Sequence, residues 1–141
     1  MRRGFAAAIA TLLTLSLATP APAQSGPCTE NAVKDGRLPT ADDAFSYMPP
    51  YGKPVMGKPA IQSTNKEKFS ARTNVTREWA TDHRIVTTPA RDMAYEVGTL
   101  HIGYDEGGKR TTFDAVMLTV YQAKNGACQM VALTMQPLED Q

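Results

Sequence analysis

No charge of one sign dominates this 141-residue chain, in which 15 Lys and Arg stand against 14 Asp and Glu. No basic run lies beside aromatic residues, so the electrostatic footprint of a nucleic-acid-binding surface is missing and no nucleic-acid partner is expected. Histidine is scarce: His83 and His101 are the only two, with neither a close cysteine pair nor a His-x-x-x-His spacing to help them. A catalytic zinc site takes three protein ligands, so no metal is expected. No serine or cysteine stands in a nucleophile elbow. Gly103 and Gly107-Gly108 sit at a hairpin with no helix after them, which makes them turn residues rather than a phosphate cradle, and no cofactor is expected.

The one long apolar run lies at the start. Arg2 and Arg3 supply a positive end, residues 5–17 an apolar stretch, and Ala21-Pro22-Ala23 small residues for cleavage, the pattern of an export signal over residues 1–23. The run is short for a membrane span, which needs roughly 20 residues, and Pro20 and Pro22 close it. Cys28 follows Ser25-Gly26-Pro27 rather than an apolar lipobox, so no membrane anchor is expected after cleavage. About 120 residues would remain, enough for one domain. Cys28 and Cys128 are the only cysteines, and in an exported, periplasmic or secreted protein a disulfide between them is the default. A buried thiol at Cys128 with a flexible one at Cys28 is the alternative.

Residues 90–138 organise the rest. The alternation over 93–104 is that of a strand; Gly107-Gly108 breaks it, and 111–121 resumes it. Asn125-Gly126 then favours the positive φ angles of a type I′ turn into a strand over 127–136. Leu100, Ile102, Val116, Leu118, Val120, Val131, Leu133 and Met135 share one face in the simplest register. Tyr95, Val97, His101, Phe113, Met117, Tyr121, Met130 and Ala132 share the other. Both faces are apolar, so both are expected to be covered, with helices and a second subunit as the candidate covers.

Upstream, Asp35-Gly36 and Pro39 allow a turn or two of helix at most over 29–40, and Asp42-Asp43 would cap another short turn. A short strand over 44–48 ends at Pro49-Pro50. Pro59 suits a first helical position, opening a helix to about Arg72 with a thin apolar stripe. Residues 73–88 read as one long strand.

Asp42-Asp43-Ala44 with Met48-Pro49-Pro50, then Gly57-Lys58-Pro59-Ala60-Ile61, resembles the opening of SnoaL-like domains of the nuclear-transport-factor-2-like superfamily. The nearest branch is the domain-of-unknown-function-4440 type, grouped with ketosteroid-isomerase-like proteins. Trp79, the stretch 92–99, and the strand 116–121 ending in Lys124-Asn125-Gly126 extend the match over residues 42–138. The resemblance implies an α+β fold: a cone-shaped, strongly curved antiparallel sheet packed on a few helices around a pocket, with members that pair through their sheets. It divides the chain into a signal (1–23), an amino-terminal segment with short helical turns (24–41), the SnoaL-like domain (42–138) and a tail (139–141). Two departures stand out: the long amino-terminal helix of the family is shortened here, and Cys128 stands where the family usually places a tryptophan.

Proteins of this kind move protons with an acid or base in an apolar pocket. In the simplest register Trp79, His101 and Phe113 lie side by side, with His83 and Met117 in the next row. The candidate pocket is therefore Trp79, His83, Tyr95, His101, Phe113 and Met117. His101 would act as a base titrating near neutral pH and Tyr95 as a donor, unless His101 is a hydrogen-bonded sheet histidine and the aromatics are core. Asp114 falls on the opposite face, either as a carboxylate with a raised pKa or at a fraying strand end. The expected function is binding of a small apolar or amphipathic molecule in the cone. Acid/base proton transfer and a non-catalytic dimerisation or interaction module are the alternatives, and a homodimer through the sheet is expected.

Overall fold

The structure, a computed structural model, describes residues 26–139, and the signal lies outside them. Its elements are α1 (Glu30–Lys34), β1 (Thr40–Tyr47), a 3-10 turn (Pro49–Tyr51), β2 (Val55–Met56), α2 (Lys58–Phe69), β3 (Thr73–Trp79), β4 (Arg84–Thr87), β5 (Met93–Glu106), β6 (Lys109–Lys124) and β7 (Ala127–Pro137). One sheet holds every strand, in the order β2-β1-β7-β6-β5-β3, with β4 also paired to β5. It curves without closing, as the cone reading requires. One pair departs from the antiparallel expectation: β1 runs parallel to β7. Thr40 to Asp43 thus belong to a strand, and Asp43 holds Lys124 at 2.6 Å instead of capping a helix.

Both long hairpins form where glycine permits them. Gly107 and Gly108 take φ of 59° and 75°, Asn125 and Gly126 of 52° and 79°, the double positive φ of a type I′ turn. Glu106 therefore pairs with Lys109, and that choice sets the whole β5–β6 register. Along β5, Ala94, Glu96, Gly98, Leu100, Ile102 and Tyr104 are buried, whereas Met93, Tyr95 and His101 are exposed.

The expected strand over 73–88 is two strands. β3 pairs with β5 up to Trp79↔Leu100 and β4 resumes at Arg84↔Val97. Between them the chain turns, and Asp82 takes the Thr99 N–H at 2.9 Å and the Thr99 hydroxyl at 2.8 Å. A Cβ on Gly98 would lie 2.8 Å from the His83 Cα, so glycine is what lets this turn fold over the sheet.

The helices are thin covers. α1 is capped by Thr29, whose hydroxyl accepts the Ala32 N–H at 3.1 Å. Five residues cannot hold a helix alone, and the disulfide Cys28–Cys128, with Cα atoms 4.9 Å apart, fastens this segment to β7. Cys28, Val33, Ala94, Tyr121 and Cys128 form one core cluster there. α2 buries Ile61 alone, against Ala41 and Ala44 of β1. It stops at Phe69, which leaves Arg72 in the link to β3. A third cluster of Leu100, Ile102, Tyr104 and Ala115 lies under Trp79, Phe113, Met117 and Met135.

Candidate functional site

The inner face of the sheet and the two helices line a half-open cavity of about 880 Å³, within the range of small-molecule sites. Leu100, Ile102, Phe113, Met117, Leu133 and Met135 give it an apolar wall. Their convergence follows from register: Ile102 pairs with Phe113, Gly98 with Met117, and Met117 with Met135, so all point inward together.

One end of this wall is polar. Glu96, 8 % exposed, enters between the small residues Ala94 and Gly98 of β5. Its Oε2 accepts the Tyr121 hydroxyl at 3.2 Å and its Oε1 lies 2.9 Å from His83 Nε2. Burial first, and then the Glu96 charge, push the Tyr121 phenol above its ordinary pKa, so it stays protonated and donates. His83 stacks on Trp79 with ring centroids 4.2 Å apart and planes 16° from parallel. The cavity is lined by the carboxylate, the phenol and the indole, while the imidazole, 24 % exposed, adjoins them over Gly98 and holds the carboxylate from the side. A carboxylate held by two donors in an apolar chamber can accept a proton or a hydrogen bond from a bound molecule, with His83 as its link to solvent.

Of the pocket expected from sequence, Trp79, Phe113 and Met117 line the cavity and His83 adjoins it. Tyr95 and His101 do not: both lie on the outer face, because His101 pairs with Asp114 and Ile102, one residue on, pairs with Phe113. The correction is a slip of one residue, which turns a side chain to the other face. Asp114 is likewise corrected, since it shares the face of His101, with Oδ1 at 2.5 Å from His101 Nδ1. That hydrogen bond, and then the carboxylate charge, raise the His101 pKa above its ordinary value. The pair is open to water, on the opposite face of the strands from the apolar wall. Glu96 and Tyr121 were the site residues that sequence reasoning passed over. Their signal was an acidic residue in mid-strand, flanked at two-residue spacing by Ala94, Gly98 and Leu100, where a solvated face would not place such neighbours.

No family model matches the sequence, and no curated protein does. Solved structures do match. A calcium/calmodulin-dependent protein kinase II association domain from Xanthomonas campestris superposes with a TM-score of 0.62 at 13 % identity, over 72 % of this chain and 71 % of that one. A ketosteroid isomerase-like protein from Erwinia carotovora atroseptica gives 0.59 at 16 % identity, over 72 % and 77 %. A nuclear-transport-factor-2-like protein from Cytophaga hutchinsonii gives 0.52 at 18 % identity, over 77 % and 84 %. The chain has the nuclear-transport-factor-2-like fold. This fold carries both binding and enzymatic proteins, so the likeness fixes the frame and leaves function to the site. In this frame the cavity lies between the curved sheet and the helices, with Glu96 at one end of its sheet wall.

Proposed function

We propose that this is an exported protein that binds a small apolar or amphipathic molecule in its cone. The observation that carries the reading is the apolar chamber of about 880 Å³ with one anchored polar cluster, Glu96 with Tyr121 and His83. The disulfide fits an oxidising compartment. Ligand that binds only the folded state raises stability, by about 2.7 kcal/mol at a concentration one hundred times Kd. A melting scan of the protein lacking residues 1–23 against steroids, polyketide-like compounds, fatty acids and small aromatic acids should give a concentration-dependent rise for one class. Silence from a folded sample would sink the proposal.

A second reading is proton transfer, favoured by the doubly held Glu96 facing the chamber. Glu96 would take the proton from the bound molecule, on which the negative charge develops, while Tyr121 and His83 hold and orient the carboxylate. With a ligand in hand, Glu96→Gln separates the two: a binder keeps its affinity within a few-fold, whereas an acid/base enzyme loses turnover by about 10²-fold or more.

The outer face supports a homodimer as part of the same proposal. Val86, Met93, Tyr95 and Val116 are 40–42 % exposed there, an apolar patch that water does not favour. Sedimentation equilibrium should return twice the chain mass, and a monomer at high concentration would remove the dimer from the proposal.

A further inference from the structure

At the opposite end of the chamber from Glu96 lies a cation without a full set of partners. Arg72 is 13 % exposed at its side chain, and its Nε is closed to solvent with no hydrogen-bond acceptor. Glu106 Oε1 stands 3.6 Å away, too long for a hydrogen bond, and the Tyr51 hydroxyl meets Nη2 only at 3.5 Å. Aromatic rings surround the guanidinium instead: Tyr104 at 3.9 Å, Phe69 at 4.7 Å and Tyr51 at 5.3 Å from its carbon. Ring faces attract the charge but accept none of its five N–H donors in-plane. A desolvated, incompletely bonded charge is costly to hold, and its one counter-charge, the half-exposed Glu106, stands beyond hydrogen-bond distance.

The rest of the chamber leans the same way. Lys34, Lys66, Arg72 and Arg77 line it against a single carboxylate, Glu96, which already takes two donors. Lys34 is committed to Glu30 at 2.6 Å. Lys66 and Arg77 are exposed at the rim, so they add positive potential where a ligand would enter.

Resting on the reading of the cone as a binding chamber, we infer that its ligand is an amphipathic acid whose carboxylate is taken by Arg72. The planar fork of an arginine receives a carboxylate with two parallel hydrogen bonds, which ring faces cannot supply. Tyr104 and Glu96 lie eight residues apart on the inner side of β5, about 26 Å of strand contour. An acid anchored beside Tyr104 therefore lays its apolar body along Ile102, Leu100, Phe113 and Met117. Only a long body reaches Glu96.

The experiment titrates the full chain lacking residues 1–23 with acids and their primary amides on three bodies: a ten-carbon alkyl chain, a naphthalene and a steroid nucleus. On the body that binds, the acid should bind at least 10-fold tighter than its amide at low salt. Arg72→Met should shrink that preference to under about 2-fold while leaving amide affinity in place, and Arg72→Lys should fall between. The Arg72→Met protein should melt no lower than the parent, because it exchanges a poorly paired buried charge for an apolar side chain. Equal affinity for acid and amide, or an acid preference that survives Arg72→Met, overturns the inference and leaves the chamber reading standing. If no acid and no amide binds, the chamber reading falls and this inference with it.

Discussion

Replacing both half-cystines, Cys28→Ala with Cys128→Ala, is expected to cost about 3 kcal/mol and lower the melting temperature by about 15 °C. The bond joins residues 100 apart in sequence, and closing so long a loop removes much of the freedom of the unfolded chain, about 4.7 kcal/mol in the chain-entropy account. Two observations set the effect below that ceiling without abolishing it. The Gly26 and Cys28 N–H groups donate to the Ala90 and Arg91 carbonyls at 2.7 and 3.0 Å, so the segment has some hold of its own. Both sulfurs also belong to a packed cluster with Val33, Ala94 and Tyr121, so alanine leaves a void as well as an open loop. Because Val33, Gly36 and Leu38 wall the chamber, loosening this segment should weaken any ligand along with the fold. Chemical denaturation of the variant against the parent checks the figure. A midpoint moved by the equivalent of less than ~0.5 kcal/mol would show that backbone pairing and packing suffice.

Substituting Glu96→Ala is expected to cost about 3 kcal/mol, with Glu96→Gln near ~1 kcal/mol. Alanine leaves the buried Tyr121 hydroxyl and the His83 ring nitrogen without their acceptor, and each orphaned donor carries roughly 1–3 kcal/mol. Glutamine keeps an acceptor for Tyr121 and offers an amide that neutral His83 can take up by changing tautomer. The absolute figure also contains the cost of holding a carboxylate in an apolar chamber, which its removal relieves. A double-mutant cycle isolates the interaction itself. Tyr121→Phe alone should cost about 1–2 kcal/mol, and the two losses together should fall short of their sum by at least ~1 kcal/mol. Strict additivity would mean that the Tyr121–Glu96 contact at 3.2 Å contributes nothing to stability.

Glycine and asparagine announced the hairpins because few residues tolerate positive φ at two successive positions. The strands β5, β6 and β7 follow from alternation, and the pairing of Cys28 with Cys128 from there being no other cysteine. Pro49-Pro50 ended a strand and Pro59 opened a helix for reasons internal to proline. The break between β3 and β4 was different. Nothing in residues 73–88 interrupts the alternation; the interruption comes from across the sheet, where Gly98 leaves room for His83 and Thr99 gives Asp82 two donors.

The sequence by itself determined the three long strands β5, β6 and β7, both tight turns, the one cysteine pair available for a disulfide and the apolar character of those strands. Each depends on the chemistry of a short stretch: turn residues, a period of two, a single pair of thiols. Only the tertiary structure decided which side chains share the chamber, because that depends on register, and one residue of slip exchanges the faces. The two-residue turn at Gly107-Gly108 sets Ile102 opposite Phe113, and an irregularity at Val120/Tyr121 sets Met130 opposite Tyr121. The first offset carries His101 and Tyr95 to the outside and brings Glu96 and Tyr121 together within; the second sets which β7 side chains join them.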